Sequence, residues 1–565
     1  MEKKILNKSR ACTPLLLAAL LAIGNIALGN DRVTVPVPDK LDINNGHFEN
    51  LKHESSGAGV YNEGTVNIKN TTFKSNSIEP PFSSEPTEID PYSYTVEGAA
   101  AVNHGEMNVE NSFFENNTVS ALYRYIFKLP EPQEEGNQQT AYTMSLGYGS
   151  AIANHSNAII SDSIFRNNTS AQMGGAIFNA DNGTLEIIGN NEFTGNKAYS
   201  EYFSVNTYKI NGELIDGYDN DYNGFGGAVS NYGALKVDGA KFTSNLAAVQ
   251  GGAINSEGKT DGSGTGKLAV LNSTFENNVA KSNRDSKLYD ETNHKWEESH
   301  TIQGAGGAIS TSSDTVIKAS TFIANEAGTH GGAVDFYGSN SFNSKLNIQN
   351  STFDSNKSGR HGGAVNLLFE KFDADITIPA VEISNSVFKN NFASQQGGAI
   401  SSEKDTILAL SDSTFDSNKA YTEYKNEENN GDNLSGYGEI TSQVETGAKG
   451  DGGAIYNENI ANINNSTFSN NTAAQKGGAI YNKGTLSVSG GSKFSNNTVK
   501  SEYDLKVKHD FTDKTSYVYK TDGMGGAIHN EGITIIDNAQ FSNNTAGFAG
   551  GAIASGLDNN ITDYT

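Results

Sequence analysis

The sequence predicts an all-β fold, a parallel β-helix (solenoid) of about 13 coils with long loop insertions at one corner. Three observations predict it. A Gly-Gly-Ala-(Ile/Val) tetrad opens at eleven places from Gly174 to Gly550, with weaker copies around Gly57, Ala99 and Gly149. A Phe-x-x-Asn signature occurs thirteen times, from Phe73 to Phe541, and the two alternate throughout. In seven cases the Phe leads the next Gly pair by nine residues, and the return from Gly pair to Phe is commonly sixteen, so the minimal unit is 25 residues. Self-similarity at such a period marks a stack of supersecondary units that bury their apolar faces on one another.

Taken in order, the chain opens on a secretion leader. Lys3, Lys4, Lys8 and Arg10 precede an apolar stretch, Leu15 to Ile23, and Ala27-Leu28-Gly29 is a small-x-small exit, which places the leader at 1–29. The stretch is too short to span a bilayer as a helix. Cys12, the only cysteine, lies before it, so the exported chain carries no disulfide. Residues 30–56 read as an N-terminal cap or lead-in segment and 57–565 as the β-helix.

Each unit then reads as three short strands between turn residues. In Gly477 to Asn497, Ile480, Leu486, Val488 and Phe494 are the candidates for the interior, spaced with the period of two that marks strands. Stacked coils place like over like at about 4.8 Å, so thirteen would extend for about 60 Å. The Gly pair supplies positive φ and close approach of neighbouring turns. Ala keeps the corner thin, and Ile or Val fills the inside. The Phe residues are expected to stack along the axis. The Asn three residues on is a turn residue able to bond its own backbone or its stacked copies.

These paired signatures resemble those of the polymorphic outer-membrane protein family, the Pmp-type autotransporters, over roughly residues 57–553. The resemblance implies a right-handed β-helix, exported to the bacterial cell surface, outer membrane or extracellular space, and linked to adhesion. The family pattern closes with a C-terminal membrane β-barrel. Here Gly550 to Ile553 opens a further coil before Thr565, which reads as an incomplete passenger or a truncated frame.

Six coils carry long insertions between the Asn and the next Gly pair, at 77–97, 118–148, 197–225, 279–305, 419–451 and 498–524. They hold 18 of the 24 tyrosines and the only tryptophan. Insertions at one corner of a solenoid emerge on one edge, and Tyr and Trp give large contact area with few rotors. Tyr199, Tyr202, Tyr218, Trp296, Tyr421, Tyr424 and Tyr503 are therefore the candidate binding residues. The competing reading is solvated loops at a permissive corner.

The formal net charge of −25 argues against nucleic acid and direct insertion into or binding of anionic bilayers. The expected partner is a surface protein or glycan of a host or neighbouring cell. No catalytic set, cofactor motif or metal set stands out. Asp261 to Leu268 only resembles a phosphate loop: Asp261 replaces its first Gly and Leu268 its Ser/Thr. His53-Glu54 lacks the second His of a zinc-protease helix. His330 and His361 each precede a Gly pair on what read as adjacent coils, but no Cys or further His joins them, so they read as corner residues. The chain is expected not to be an enzyme. The alternatives are a passive surface stalk or a β-helix polysaccharide lyase or hydrolase, whose carboxylates would line one groove.

Overall fold

In the computed structural model each repeat closes as four strands, not three. The structure describes residues 32–79, 96–126, 136–210, 213–257, 266–290, 295–339, 344–370, 380–428, 440–500, 503–509, 515–520 and 523–556. The leader at 1–29 and most of the phosphate-loop lookalike lie outside them. A representative coil runs Ile480–Asn482, Thr485–Ser489, Lys493–Ser495 and Thr498–Val499. The fourth strand has two residues, too few for alternation to reveal it in the sequence.

The described residues fall into two units, one ending at Val316 with Glu326–Gly328, the other comprising Ile317–Asn325 and Thr329 onward. Each is a parallel β-helix with like strands in register: Phe165 pairs with Phe193 in the first unit, and Tyr456 with Tyr481 in the second. The sense is right-handed, the hand that parallel crossovers take.

An aromatic column runs through the interior of each unit. In the first unit Phe48, Phe73, Phe114, Phe165, Phe193, Phe242 and Phe275 stack with centroids 4.7 to 4.9 Å apart and planes within 9°. In the second, Phe322 to Phe541 repeat this at 4.8 to 4.9 Å. Phe48 belongs to a coil that the Gly-Gly signature misses. Val33–Val35, Lys40–Asn44, His47–Glu49 and Lys52–His53 pair with the coil that follows, so the lead-in segment is itself coiled. The signal for it was present: Phe48 leads Gly57 by nine residues.

The motif residues divide their tasks more finely than expected. The first glycine takes the positive φ, as Gly174 does at 59°. The second allows close approach: a Cβ on Gly175 would meet the Gly227 carbonyl oxygen at 1.9 Å. At Phe-x-x-Asn the left-handed residue is the third, as at Asn116 with φ 56°, not the Asn. The Asn itself is buried and bonds neighbouring coils rather than its own backbone. Asn117 Nδ2 donates to Asn168 Oδ1 at 2.9 Å and to the Phe73 carbonyl at 3.1 Å. A second ladder ends the first strand, with Asn62, Asn103, Asn154, Asn179 and Asn231 linked at 2.7 Å.

Five of the six insertions form hairpins. In the first unit Ala121–Ile126 with Gly136–Leu146, Ser200–Ile210 with Glu213–Asn223, and Ser282–Asp290 with Lys295–Gln303 join into one six-stranded antiparallel sheet. In the second, Thr422–Glu428 with Ile440–Lys449 and Tyr503–His509 with Thr515–Lys520 form a four-stranded sheet. Residues 80–95 of the first insertion lie outside the described residues. The coil keeps the start and end of each insertion as read from the sequence: Lys197–Ala198, for example, is the fourth strand of its rung.

Hairpins pair because of where they are rooted. In the first unit the paired hairpins follow Asn117, Asn196 and Asn278, while the coils of Asn168 and Asn245 between them carry none. Roots two coils apart are separated by about 9.6 Å, the width of two strands. A hairpin is two strands wide, so hairpins on alternate coils tile a continuous sheet.

Candidate functional site

The hairpin sheet of the first unit is where the tyrosine-rich insertions were expected to act, and its residues do not all serve one surface. Tyr199 sits at a hairpin root, half-buried, with Lys197 Nζ 4.4 Å from its ring centroid and Tyr222 at 5.1 Å. Burial raises its phenol pKa. Tyr421 is its counterpart in the second unit, with Lys419 Nζ at 4.0 Å and its hydroxyl donating to Glu423 Oε1 at 3.3 Å. The Lys-Ala-Tyr repeats thus brace the roots by cation–π contact. Tyr202 is half-buried, opposite Asp221. Tyr424 and Tyr503 lie in strands whose side chains here are outside the described residues.

Tyr218 and Trp296 are placed differently. Trp296 packs edge-on against Tyr208 and Tyr289, each at 5.4 Å, with Lys287 Nζ 5.7 Å from its ring centroid. Tyr208 is 2% exposed, so this cluster holds the hairpins together. Tyr218, 40% exposed, lies 6.4 Å from Phe203, itself 39% exposed. These two border an open depression of about 480 Å³ that Asn220, Asp285, Glu298 and His300 also line. His300 Nδ1 bonds Asp285, and Lys287 reaches Glu298 at 3.4 Å. Phe203, Asp285 and His300 were missed in the sequence. Strand alternation puts Phe203 and Tyr218 on one face, but the cross-hairpin register that adds Asp285 shows only once the sheet is built.

A second chemically distinct surface runs along the outward side of the first strand. In many coils its middle residue is buried as well as the two that face in, as in Ile455–Asn457. The residue before the Gly pair and the residue six after its first Gly cover it from either side. In the second unit this row brings His330 and His361 to 5.1 Å between rings, and Glu403 Oε1 to 2.9 Å from His361 Nδ1. The two histidines are thus on adjacent coils as their spacing predicted, joined by a carboxylate rather than by a Cys or His. Burial, then the neighbouring His361, pushes His330 down to about 4. Beneath them Asp335 is buried and accepts from Asn366 Nδ2 at 2.9 Å; burial pushes its carboxyl up to about 7. Further along, Lys476 Nζ bonds Glu531 at 2.8 Å and the Tyr481 hydroxyl donates to the same carboxylate at 2.6 Å. Asp335 is 7% exposed and so closed to a substrate.

In the first unit the same row carries Tyr61, His104, His155 and Phe178 in sequence, with Tyr61 and His104 at 5.4 Å and His104 and His155 at 4.5 Å between ring centroids. Glu97 covers the two histidines. None of the three was singled out in the sequence. Their signal was positional: Glu97 precedes Gly98, and His104 and His155 each stand six residues after the first Gly of their corner, Gly98 and Gly149. The weaker corner copy therefore begins at Gly98, whose φ is 55°.

The profile of the Chlamydia polymorphic membrane protein (Chlamydia_PMP) repeat matches residues 162–180, 385–403, 412–458 and 465–483. Each matched window starts just before the Phe strand, crosses the Gly pair and ends on the row residue six beyond it. The chain carries polymorphic membrane protein repeats at these four places. The window at 412–458 contains a complete hairpin insertion, so the repeat persists across it. Neither the curated proteins nor the solved structures hold a significant match. Polymorphic membrane proteins are outer-membrane or surface-exposed proteins. Among the described residues of this chain, no helix is long and apolar enough to cross a membrane.

Proposed function

We propose that this polymorphic membrane protein is the exported passenger of an autotransporter, acting as a non-enzymatic adhesin. In this reading the coils are a scaffold, and the hairpin sheets bind a protein or glycan on a host or neighbouring cell. The observation that carries it is the joining of three separate insertions into one sheet, with Phe203, Tyr218 and His300 around an open depression. Root spacing lets the hairpins pair, and what favours recognition over solvated loops is that the joined sheet gathers exposed aromatics around one depression. Exposed aromatics beside paired charges are the composition of recognition surfaces.

The test is attachment. Beads coated with the protein are expected to adhere to epithelial cells, and adhesion is expected to fall when Phe203 and Tyr218 are both changed to Ser or when 282–303 is excised. Adhesion unchanged in both variants overturns the assignment to this face. Beads that never attach favour a passive stalk, and depolymerisation of pectin or alginate by the same protein favours a polysaccharide-degrading enzyme.

A further inference from the structure

Glu97, His104 and His155 come together from two adjacent coils, and the backbone fixes each of them. Glu97 forms single parallel bridges to Ser56 and Tyr148 just before the tight corner at Gly98. The His104 amide donates to the Asn62 carbonyl at 2.7 Å, and the His155 amide to the Asn103 carbonyl at 2.8 Å. The two imidazoles lie one above the other, 4.5 Å apart with planes 14° from parallel. His155 Nε2 is 2.8 Å from Glu97 Oε2. One nitrogen of each ring and one carboxylate oxygen all lie within 4.8 Å of one another, the one such group of three among the described residues.

We propose that Glu97, His104 and His155 form a binding site for a divalent transition metal of the zinc class, with a coordination position left open to solvent. The donor set is two imidazole nitrogens and one carboxylate oxygen, a set that suits zinc, copper or nickel and not the oxygen-seeking calcium or magnesium. Tetrahedral zinc with bonds near 2.0 to 2.1 Å holds its ligand atoms about 3.3 Å apart. Glu97 and His155 stand closer than that, at 2.8 Å, and all three ligand atoms lie within 4.8 Å of one another, so small side-chain rotations bring them to that spacing. The charge balance favours the ion. The Glu97 side chain is only 8% exposed, so its carboxylate charge is poorly solvated and a cation beside it is favoured. A dication held by the in-plane nitrogen lone pairs of the two rings also neutralises the carboxylate. Glu97 is the last residue of one insertion and Tyr148, its bridge partner, the last of the next. A bound ion would therefore tie two coils together where insertions return to the scaffold, and its open position would accept a water or a partner's side chain.

The proposal does not depend on adhesion. The full chain, stripped with a chelator, is titrated with zinc chloride against a chromophoric zinc indicator at neutral pH. One zinc per chain is expected, with affinity weakened at least about tenfold in His104→Gln and in His155→Gln. His361→Gln, which alters the other histidine pair, is expected to retain it. Cobalt in place of zinc is expected to give visible d–d absorption that His155→Gln abolishes. His104 is exposed, so His104→Gln is expected to keep the wild-type circular dichroism. A wild-type chain that takes up no stoichiometric zinc, or zinc uptake and cobalt bands unchanged in both His variants, overturns the site and leaves the three residues a hydrogen-bonded ring stack.

Discussion

Asn418 shows how much of this fold rests on single buried amides. Its Oδ1 accepts from the Asn391 backbone N–H at 3.1 Å and from Asn391 Nδ2 at 2.9 Å. Its Nδ2 donates to the Phe388 carbonyl at 2.9 Å and to Asn471 Oδ1 at 3.0 Å. Removing the side chain strands buried polar groups on the coils above and below it. Asn418→Ala is expected to destabilise its surroundings by about 3 to 5 kcal/mol. Asn470→Gly, at an exposed left-handed position that glycine adopts freely, is expected to change stability by less than about 1 kcal/mol. Denaturant unfolding of both variants checks the contrast. Asp335 makes a second test, through pH. Its carboxyl is pushed up to about 7 by burial, opposed by the Asn366 bond, so the folded chain holds a proton that the unfolded chain releases above about 4. That contribution is full below about 4 and is lost as pH rises through about 7. His330, pushed down to about 4, has the opposite sign: its contribution is present above about 6.5 and is lost as pH falls through about 4. The two slopes oppose each other in the wild type. Asp335→Asn keeps the bond from Asn366 and removes the carboxyl. Relative to wild type, it is expected to gain stability between pH 4 and 7, by about 2 kcal/mol or more. Hydrogen exchange in Val334–Ser339 at the two pH values reads this out, and a variant that tracks the wild type contradicts a raised Asp335.

At the scale of elements, the coil was legible and the hairpin sheet was not. Phe spacing and the Gly pair mark the coil because each is a local requirement repeated in every rung: Phe242 must lie under Phe275, and Gly227 under Gly252. The sheet depends on pairing such as Tyr218 with Lys287, between segments with no local signature for each other. They meet only because stacking sets the distance between their roots. The same geometry explains how a coil tolerates an insertion. Uninterrupted corners have five residues between Asn and Gly pair, as in 169–173. In all six interrupted corners the insertion falls after the third of these five, so excising 200–223 rejoins Tyr199 to Gly224 and restores the natural length. The coil is expected to close normally. The outer hairpins at 121–146 and 282–303 would then be rooted four coils apart, about 19 Å, too far to pair. Excising the edge hairpin 282–303 instead leaves its neighbours paired. Amide protection in 121–146 is therefore expected to fall sharply in the first deletion and to persist in the second. Equal protection in both would show that the hairpins are stable singly and that root spacing is irrelevant.

For the whole molecule, the consequence of stacking is that stability is local. A coil contacts the coils above and below, so its free energy is its own plus two interface terms, and no single core integrates the chain. The Phe column runs through each interface: rings 4.8 Å apart with planes within a few degrees, fully buried at Phe353, Phe388 and Phe415. The Asn ladder adds directional bonds between the same neighbours. The acidic surface acts against the stack through self-repulsion, at a formal charge of −25, and salt relieves it. Unfolding is therefore not expected to be two-state. A lesson from Asn418→Ala should travel only as far as the interfaces it breaks. Hydrogen exchange is expected to quicken in Val387–Lys389, Thr414–Asp416 and Thr467–Ser469, the Phe strands of the coils that share its bonds, and to stay at wild-type rates in Phe113–Glu115. If the same substitution accelerated exchange uniformly through both units, the coils would be one cooperative body and the nearest-neighbour description would be wrong.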